Sequence, residues 1–359
     1  MNIMHIVFSF NNGGIENLLV DILNNWNNKS DKLFLCIINN NYDENLLNKL
    51  LEKNIQVIKL NRPVGGEKLK YIKKLVDIII KKNIKVIHCH SNSTVKFCMI
   101  PKLKIKDIKL VYTVHDTMTY PTFNKIDVLI HKLFVRKIIA ISKCVQDNIV
   151  KKYGASNKVI TLYNGVDVNK FIEKKDKSKK YRIGCIARLC PPIKGQDTLI
   201  RAIAILKKYR SDFECYIVGA PPSEKNNYLE ELKELAIKLE VTDLVKFTGN
   251  TNDVPKVLSK LDLAVVPSRK EGFGITIIEA FLSKVPVIAS NLEGPKEIIK
   301  DNVYGELFES EDYVELSEKI YNIMNENNTV KTEAAYSYAV NKFSINSMVE
   351  NLRKVYLEL

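Results

Sequence analysis

The strongest constraint on how this chain can fold is an alternation that starts at its first residues. Short apolar runs rich in β-branched residues are each followed by a segment whose apolar residues recur at helical spacing. MHIVFSF (4–10) leads into IENLLVDILNNW (15–26), KLFLCIIN (32–39) into a helix around 44–53, and IQVIKL (55–60) into an amphipathic helix near 68–82. The strands KVIHCH (85–90), KLVYTVHD (109–116), KIIAIS (137–142) and KVITLYNG (158–165) continue the series. Alternation of this kind predicts a parallel sheet flanked by helices.

The rhythm breaks once and then restarts. VDVNKFIEKKDKSKK (166–180) is charged, poor in large apolar residues and follows Asn-Gly, which reads as a linker. Beyond it come YRIGCIAR (181–188), a helix at 195–209, FECYIVGA (213–220), a helix at 224–239, LVKFTGN (244–250) and a short helix at 253–260. LAVVPS (263–268), a helix containing Glu279, VPVIAS (285–290) and a strand near 304–308 follow, and helices near 312–326 and 344–357 close the chain. A length of 359 residues suits two domains better than one core. The expected fold is therefore α/β, two consecutive doubly wound units, each with its crevice at the carboxyl ends of its strands.

Several function classes lose support at this level. No apolar run approaches the roughly 20 residues needed to cross a bilayer. MNIMHIVFSF has no basic flank and no small-residue cleavage site, so it is expected to be a first strand and not a signal peptide. The seven cysteines (36, 89, 98, 144, 185, 190 and 215) form no CxxC pair and no Cys/His cluster at metal spacing, which points to free thiols in a reducing compartment such as the cytoplasm. A net charge of +14 invites nucleic acid, yet arginine occurs at only eight positions and no recognition motif accompanies it, so no nucleic-acid partner is expected. Lys-rich stretches at 68–85 and 102–109 fit either a solvated face or an anionic membrane surface.

Three loops carry chemistry. In SFNNGGIENLLV (9–20), Gly13 and Gly14 stand between a strand and a helix, which suits either a tight turn or the approach of an anion to a helix start. In IARLCPPIKGQD (186–197), Arg188 and Lys194 could converge on two adjacent phosphates, the first as a fork and the second as a point charge. In RKEGFGITIIEA (269–280), a helix is expected to begin near Ile275 or Thr276, with Glu271 in the crevice loop and Glu279 in the first helical turn. Free amides at that helix start can hold a phosphate, and carboxylates accept paired hydrogen bonds from vicinal hydroxyls. His88 and His90 are read as pointing to opposite faces of one strand, as core or supporting residues, and His115 ends another strand.

Glu271 and Glu279 with GFGITII between them resemble the E-x7-E motif of the GT4 family, the retaining, nucleotide-sugar-dependent glycosyltransferases of GT-B fold. GGIE (13–16), HCHS (88–91), TVHD (113–116), AIS (140–142), NGVD (164–167), ARLCPPIKG (187–195) and TGN (248–250) extend the likeness over nearly the whole chain. The resemblance implies two Rossmann-like domains facing across a cleft. These would be an N-terminal acceptor domain (1–165), the linker 166–180 and a donor domain (181–342), with a C-terminal helix at about 343–359 packing back on the first. It implies that Arg188 and Lys194 bind the donor diphosphate, Glu279 the nucleotide ribose and Glu271 the transferred sugar. Gly13, Gly14, Gly272, Phe273, Gly274, Ile275 and Thr276 would add phosphate and sugar contacts, and the base would lie near Thr248, Gly249 and Asn250. His115 would stand near the reacting centre, with Glu271, Arg188 and Lys194 in the catalytic set. No metal and no cofactor is expected beside the donor, in keeping with the lack of an Asp-x-Asp motif.

The activity implied is hexosyl transfer, UDP-sugars favoured, to a saccharide or lipid-linked acceptor in bacterial capsule or exopolysaccharide synthesis. It would take place in the cytoplasm or at the inner membrane face. Acceptor choice would lie in the loops 61–67 and 117–127, and the hinge near Asn164 to Asp167. A sugar-nucleotide epimerase, a non-catalytic nucleotide-sugar-binding subunit and a glycosidase using the two glutamates are the alternatives.

Overall fold

The computed structural model describes residues 1–11, 13–51, 55–171, 179–223 and 226–359. Residues 172–178 of the expected linker, the end of the helix expected at 44–53 and the start of that expected at 224–239 lie outside the described residues. The chain divides into two compact units, Met1–Gly165 with Ile345–Leu359, and Val166–Ser344.

The first unit runs β1 (Asn2–Val7), α1 (Gly14–Asn24), β2 (Lys32–Asn39), α2 (Glu44–Leu51), β3 (Gln56–Arg62), α3 (Leu69–Lys81), β4 (Val86–Cys89), α4 (Asn92–Lys104), β5 (Lys109–Val114), α5 (Lys125–Phe134), β6 (Val135–Ala140), α6 (Lys143–Tyr153) and β7 (Val159–Thr161). Its strands pair in parallel in the order β3-β2-β1-β4-β5-β6-β7. The order reverses direction between β1 and β4, so the loops leaving these two strands diverge and open a crevice at their carboxyl ends. Near-continuous burial along β2, β4 and β5 follows from helices covering both faces.

The second unit runs β8 (Tyr181–Ile186), α7 (Pro191–Lys194), α8 (Gln196–Leu206), β9 (Phe213–Val218), α9 (Tyr228–Lys238), β10 (Val245–Gly249), α10 (Val254–Leu258), β11 (Leu263–Val266), α11 (Ile275–Leu282), β12 (Val287–Ser290), α12 (Glu293–Ile299), β13 (Glu306–Phe308), α13 (Tyr313–Asn325) and α14 (Thr329–Phe343). Its parallel order β10-β9-β8-β11-β12-β13 places the switch between β8 and β11. The expected elements leave 329–343 unassigned, and the structure makes it α14. Only Ala335, Ala339 and Phe343 are buried along it, two alanines and one phenylalanine, too sparse an apolar stripe to register as helical periodicity.

The last helix, α15 (Ile345–Leu357), belongs to the first unit. Ile345, Met348, Val349, Leu352 and Tyr356 recur at three- and four-residue spacing and enter the same core as Leu18 and Ile22 of α1. Arg353 pairs with the almost fully buried Asp31 carboxylate at 2.8 Å, and the Gly165 N–H donates to the Met348 sulfur at 3.0 Å. Among the described residues no helix is long and apolar enough to cross a membrane.

Candidate functional site

In the second unit the site is built on the two strands at the switch. β8 ends at Ile186, and the Ala187 and Leu189 N–H groups continue onto the Val218 and Ala220 carbonyls at 3.0 and 2.9 Å, which carries the chain past Arg188 and leaves that side chain exposed. Cys190-Pro191-Pro192 then starts α7. The Cys190 carbonyl accepts the Ile193 and Lys194 N–H groups at 2.9 and 2.7 Å, and the prolines hold helical φ where an amide donor is not needed. Lys194 is thereby presented from a short, rigid turn. Its ammonium donates to Glu271 Oε2 at 2.6 Å, and the Ser268 hydroxyl reaches the same oxygen at 3.4 Å.

Arg269, to which no role is assigned above, holds this contact in place. Its guanidinium forks onto Asp197 at 2.7 and 2.8 Å, donates to the Pro191 carbonyl at 2.6 Å and reaches Glu311 at 2.6 Å. Its backbone N–H donates to the Ile193 carbonyl at 2.8 Å. The Asp197 hydrogen bonds push the Arg269 pKa above its ordinary value. Arg269 is therefore a clasp between the α7 loop and the end of β11, and not a free cation for substrate.

Gly195 makes that closeness possible. Its φ is +64°, and a Cβ there would stand 1.9 Å from the Pro267 carbonyl oxygen. Gly195→Ala is expected to destabilise the second unit by about 3 kcal/mol, from left-handed strain plus displacement of backbone. Urea unfolding checks this, and a loss below about 1 kcal/mol would show that the loop relaxes at little cost.

The turn Glu271-Gly272-Phe273-Gly274 delivers Ile275 and Thr276 as the first residues of α11, with Gly274 at φ +104° as its N-cap. Glu279 is the fifth helical residue, one position further along than a start at Thr276 would make it, because the helix begins at the earlier of the two candidate starts; it is partly buried. Thr248, Gly249 and Asn250 lie exposed at the carboxyl end of β10, two strands from β8, where the Gly249 carbonyl accepts the Gly219 N–H at 2.8 Å.

Gly13, Gly14 and His115 belong to the first unit. Gly13 is the N-cap of α1, its carbonyl accepting the Asn17 N–H and Nδ2 at 3.0 and 2.9 Å, and Gly14 is its exposed first residue. His115 follows β5 and is one end of a hydrogen-bonded row of rings. His5 Nδ1 lies 3.0 Å from His90 Nε2, and His90 Nδ1 lies 3.1 Å from His115 Nε2. His88 sits beside the row, bonded through Nδ1 to the Tyr356 hydroxyl at 2.5 Å and through Nε2 to the Thr113 hydroxyl at 2.6 Å.

The assignment of His88 and His90 to opposite faces is corrected here. Positions two apart on a strand share a face, and the two rings stack with centroids 4.4 Å apart. Burial lowers the pKa of His5 to about 3 and of His115 to about 4, and drives His88 and His90 well below the usual histidine range. The rings are neutral at pH 7. His5 Nε2 is buried without a partner, which is least costly as a bare lone pair. The protons then sit on Nδ1 of His5 and of His90, each donated along the row, and His115 keeps its own proton on Nδ1.

Sequence spacing showed no metal-like cluster, yet the fold brings ring nitrogens of His5, His88 and His90 within 4.8 Å of one another. Both nitrogens of His88 and of His90 are taken by hydrogen bonds, those of His88 by two hydroxyls and those of His90 by the His5 and His115 rings. The cysteines are all free, five of them buried.

Comparison with known proteins follows the same two halves. The model described as Glycosyltransferase Family 4 matches residues 12–170, and that described as Glycosyl transferases group 1 matches residues 167–342. The GDP-mannose-dependent α-(1-6)-phosphatidylinositol monomannoside mannosyltransferase of Mycobacterium tuberculosis is 32% identical over 184 residues, covering 46% of this chain and 46% of that protein. The O-antigen chain mannosyltransferase RfbU of Salmonella typhimurium is 28% identical over 236 residues, covering 62% and 61%. This chain thus spans about half the length of the first relative and three fifths of the second. The crystal structure of Anabaena HepE in complex with UDP and glucose superposes over 100% of both chains with a TM-score of 0.86 at 23% identity. With both of its parallel-sheet units accounted for, the chain belongs to the GT4-type, group 1 glycosyltransferases of GT-B fold.

Proposed function

We propose that the protein transfers a hexose from a nucleoside-diphosphate sugar to a saccharide or lipid-linked saccharide acceptor, with retention at the anomeric carbon and without a metal ion. The observation that carries this reading is the Lys194–Glu271 contact at the β8/β11 switch, directly before the free amides that open α11. A cation, a carboxylate and a helix start then stand together, and these are the groups a diphosphate bearing a sugar needs. Lys194 and Arg188 offset the charge that develops on the leaving diphosphate, and the Ile275 and Thr276 amides add to this. Glu271 holds hydroxyls of the transferred sugar and Glu279 those of the ribose. In the first unit, His115 keeps a neutral imidazole whose Nδ1–H can donate.

A UDP-sugar is the favoured donor, since the Anabaena neighbour that matches the whole chain was crystallised with UDP and glucose. The GDP-mannose in the mycobacterial relative's name supports the second choice. Surface-polysaccharide synthesis at the cytoplasmic face of a membrane fits the O-antigen relative. The test is calorimetric titration of UDP, GDP, ADP and their sugar conjugates in EDTA against wild type and Glu279→Ala. One nucleotide is expected to bind tightly, and the variant to bind it at least about tenfold more weakly, the worth of a hydrogen-bonded charged group. Failure of every nucleotide to bind wild type would sink the reading, and sugar-nucleotide isomerisation without acceptor would turn it toward an epimerase.

A further inference from the structure

The helix α5 is oriented against the usual rule. A surface helix turns its apolar face inward and its polar face to water. Here the buried side includes Asp127 and His131, whereas Ile126, Leu129 and Leu133 are 67%, 53% and 67% exposed. The inward polar groups are fully engaged. Asp127 pairs with Lys96 at 2.5 Å and accepts from Asn92 at 3.1 Å, while His131 Nε2 meets the Asn92 amide oxygen at 2.9 Å. The helix therefore cannot roll to hide its leucines without breaking these bonds. Positions 126, 129 and 133 fall on one side, so the exposed residues form a continuous apolar stripe.

The stripe is bordered by cations. Lys125 and Lys132 are exposed on the same helix, and Arg136 is exposed just beyond it. The Lys158 ammonium donates to the Lys132 carbonyl at 2.9 Å, which adds positive charge at the carboxyl end of α5, and that of Lys152 donates to the Pro121 carbonyl at 2.7 Å in the segment that precedes the helix. The only acidic residue of α5 is Asp127, which faces inward. An apolar stripe with a one-signed basic border matches the hydrocarbon edge and the phosphates of an anionic bilayer, with lysine stems covering apolar surface while their heads stay in water.

We propose that α5 lies in the interfacial layer of an anionic membrane, with Ile126, Leu129 and Leu133 inserted and Lys125 and Lys132 on lipid phosphates. This places the contact on α5 and not on the Lys-rich α3, and the segment 116–124 joins it directly to His115. The link to His115 rests on the transferase reading, whereas the docking itself does not.

The test is co-sedimentation with vesicles of phosphatidylcholine alone and of phosphatidylcholine with phosphatidylglycerol. Wild type, the triple variant Ile126→Ser/Leu129→Ser/Leu133→Ser and the double variant Lys125→Glu/Lys132→Glu are compared, with nucleotide titration and circular dichroism run on each. Wild type is expected to bind the anionic vesicles, and each variant to bind at least tenfold more weakly with its folded spectrum unchanged. Leu133→Glu, a single change at an exposed site, gives the same reading should the triple variant misfold. No vesicle binding by wild type, or equal binding by wild type and both variants, overturns the proposal. So does a wild-type dimer that the triple variant turns into a monomer without any vesicle binding, which would make the stripe a self-association surface. Vesicle binding without nucleotide binding would sink the transferase reading and leave the docking surface standing; nucleotide binding without vesicle binding would do the reverse.

Discussion

Lys194→Ala is expected to lower transfer from the nucleoside-diphosphate donor by about 10³-fold, mostly in kcat, with the fold intact. The magnitude is that of removing one preorganised group facing charge that develops in the transition state, about 4 kcal/mol. The fold should survive because α7 is held by backbone bonds from Cys190 and by the Arg269 clasp, neither of which uses the lysine side chain. Glu271 loses its closest cation, but at 16% side-chain exposure it keeps both water and the Ser268 hydroxyl. Lys194→Arg should recover only part of the rate, because a planar fork does not replace a point charge in a turn of this size. Steady-state kinetics on the three proteins decides it: a change under threefold in kcat for the alanine variant would remove Lys194 from the machinery.

The second large effect is on stability. The first unit should lose several kcal/mol between pH 6.5 and pH 5, and unfold before the second. All five histidines lie in residues 1–165, and burial lowers the pKa of each. The folded state therefore refuses protons that the unfolded chain begins to accept near pH 6.5. The native structure is favoured in full above that value, and the advantage drains as pH falls toward the folded pKa values near 3 to 4. At pH 5 the penalty approaches about 2 kcal/mol per buried histidine, so His5, His88 and His90 together account for as much as about 6 kcal/mol, comparable to a whole domain's stability. Carboxylates held low by partners, such as Asp31 and Asp127, add to acid loss only below about pH 4. Urea unfolding followed at pH 7.5, 6 and 5 reads the effect, with His5→Phe expected to flatten the slope by one proton's worth. Equal midpoints at pH 7.5 and pH 5 would mean that the row protonates without unfolding.

The candidate site was partly legible in the sequence, for a physical reason. Crevice loops are local: Arg188 and Lys194 sit six residues apart after one strand, and Glu271 and Glu279 flank one turn, so spacing alone groups them. Arg269 stayed hidden because its partners, Asp197, Pro191 and Glu311, are local to it only in space. The histidine row was invisible for the same reason. His5 comes from within β1, and His90 and His115 from just beyond β4 and β5, so their contact depends on β4 pairing with both β1 and β5, which no short window contains. A signal was nonetheless available: four of five histidines fall in or just beyond predicted strands.

What the sequence by itself determined is the α/β rhythm, the restart after 180 and the identity of the crevice loops, because helical and strand periodicity and turn chemistry act over a few residues. Only the tertiary structure decided that α15 returns to the first core, that neutral imidazoles line up behind His115, and that α5 turns its leucines outward. Each of these depends on which buried polar group finds a partner across the sheet order. Asp127 and His131 face inward because Lys96 and Asn92 are there to satisfy them, and the cost of leaving such groups unpaired outweighs the gain from burying three apolar side chains.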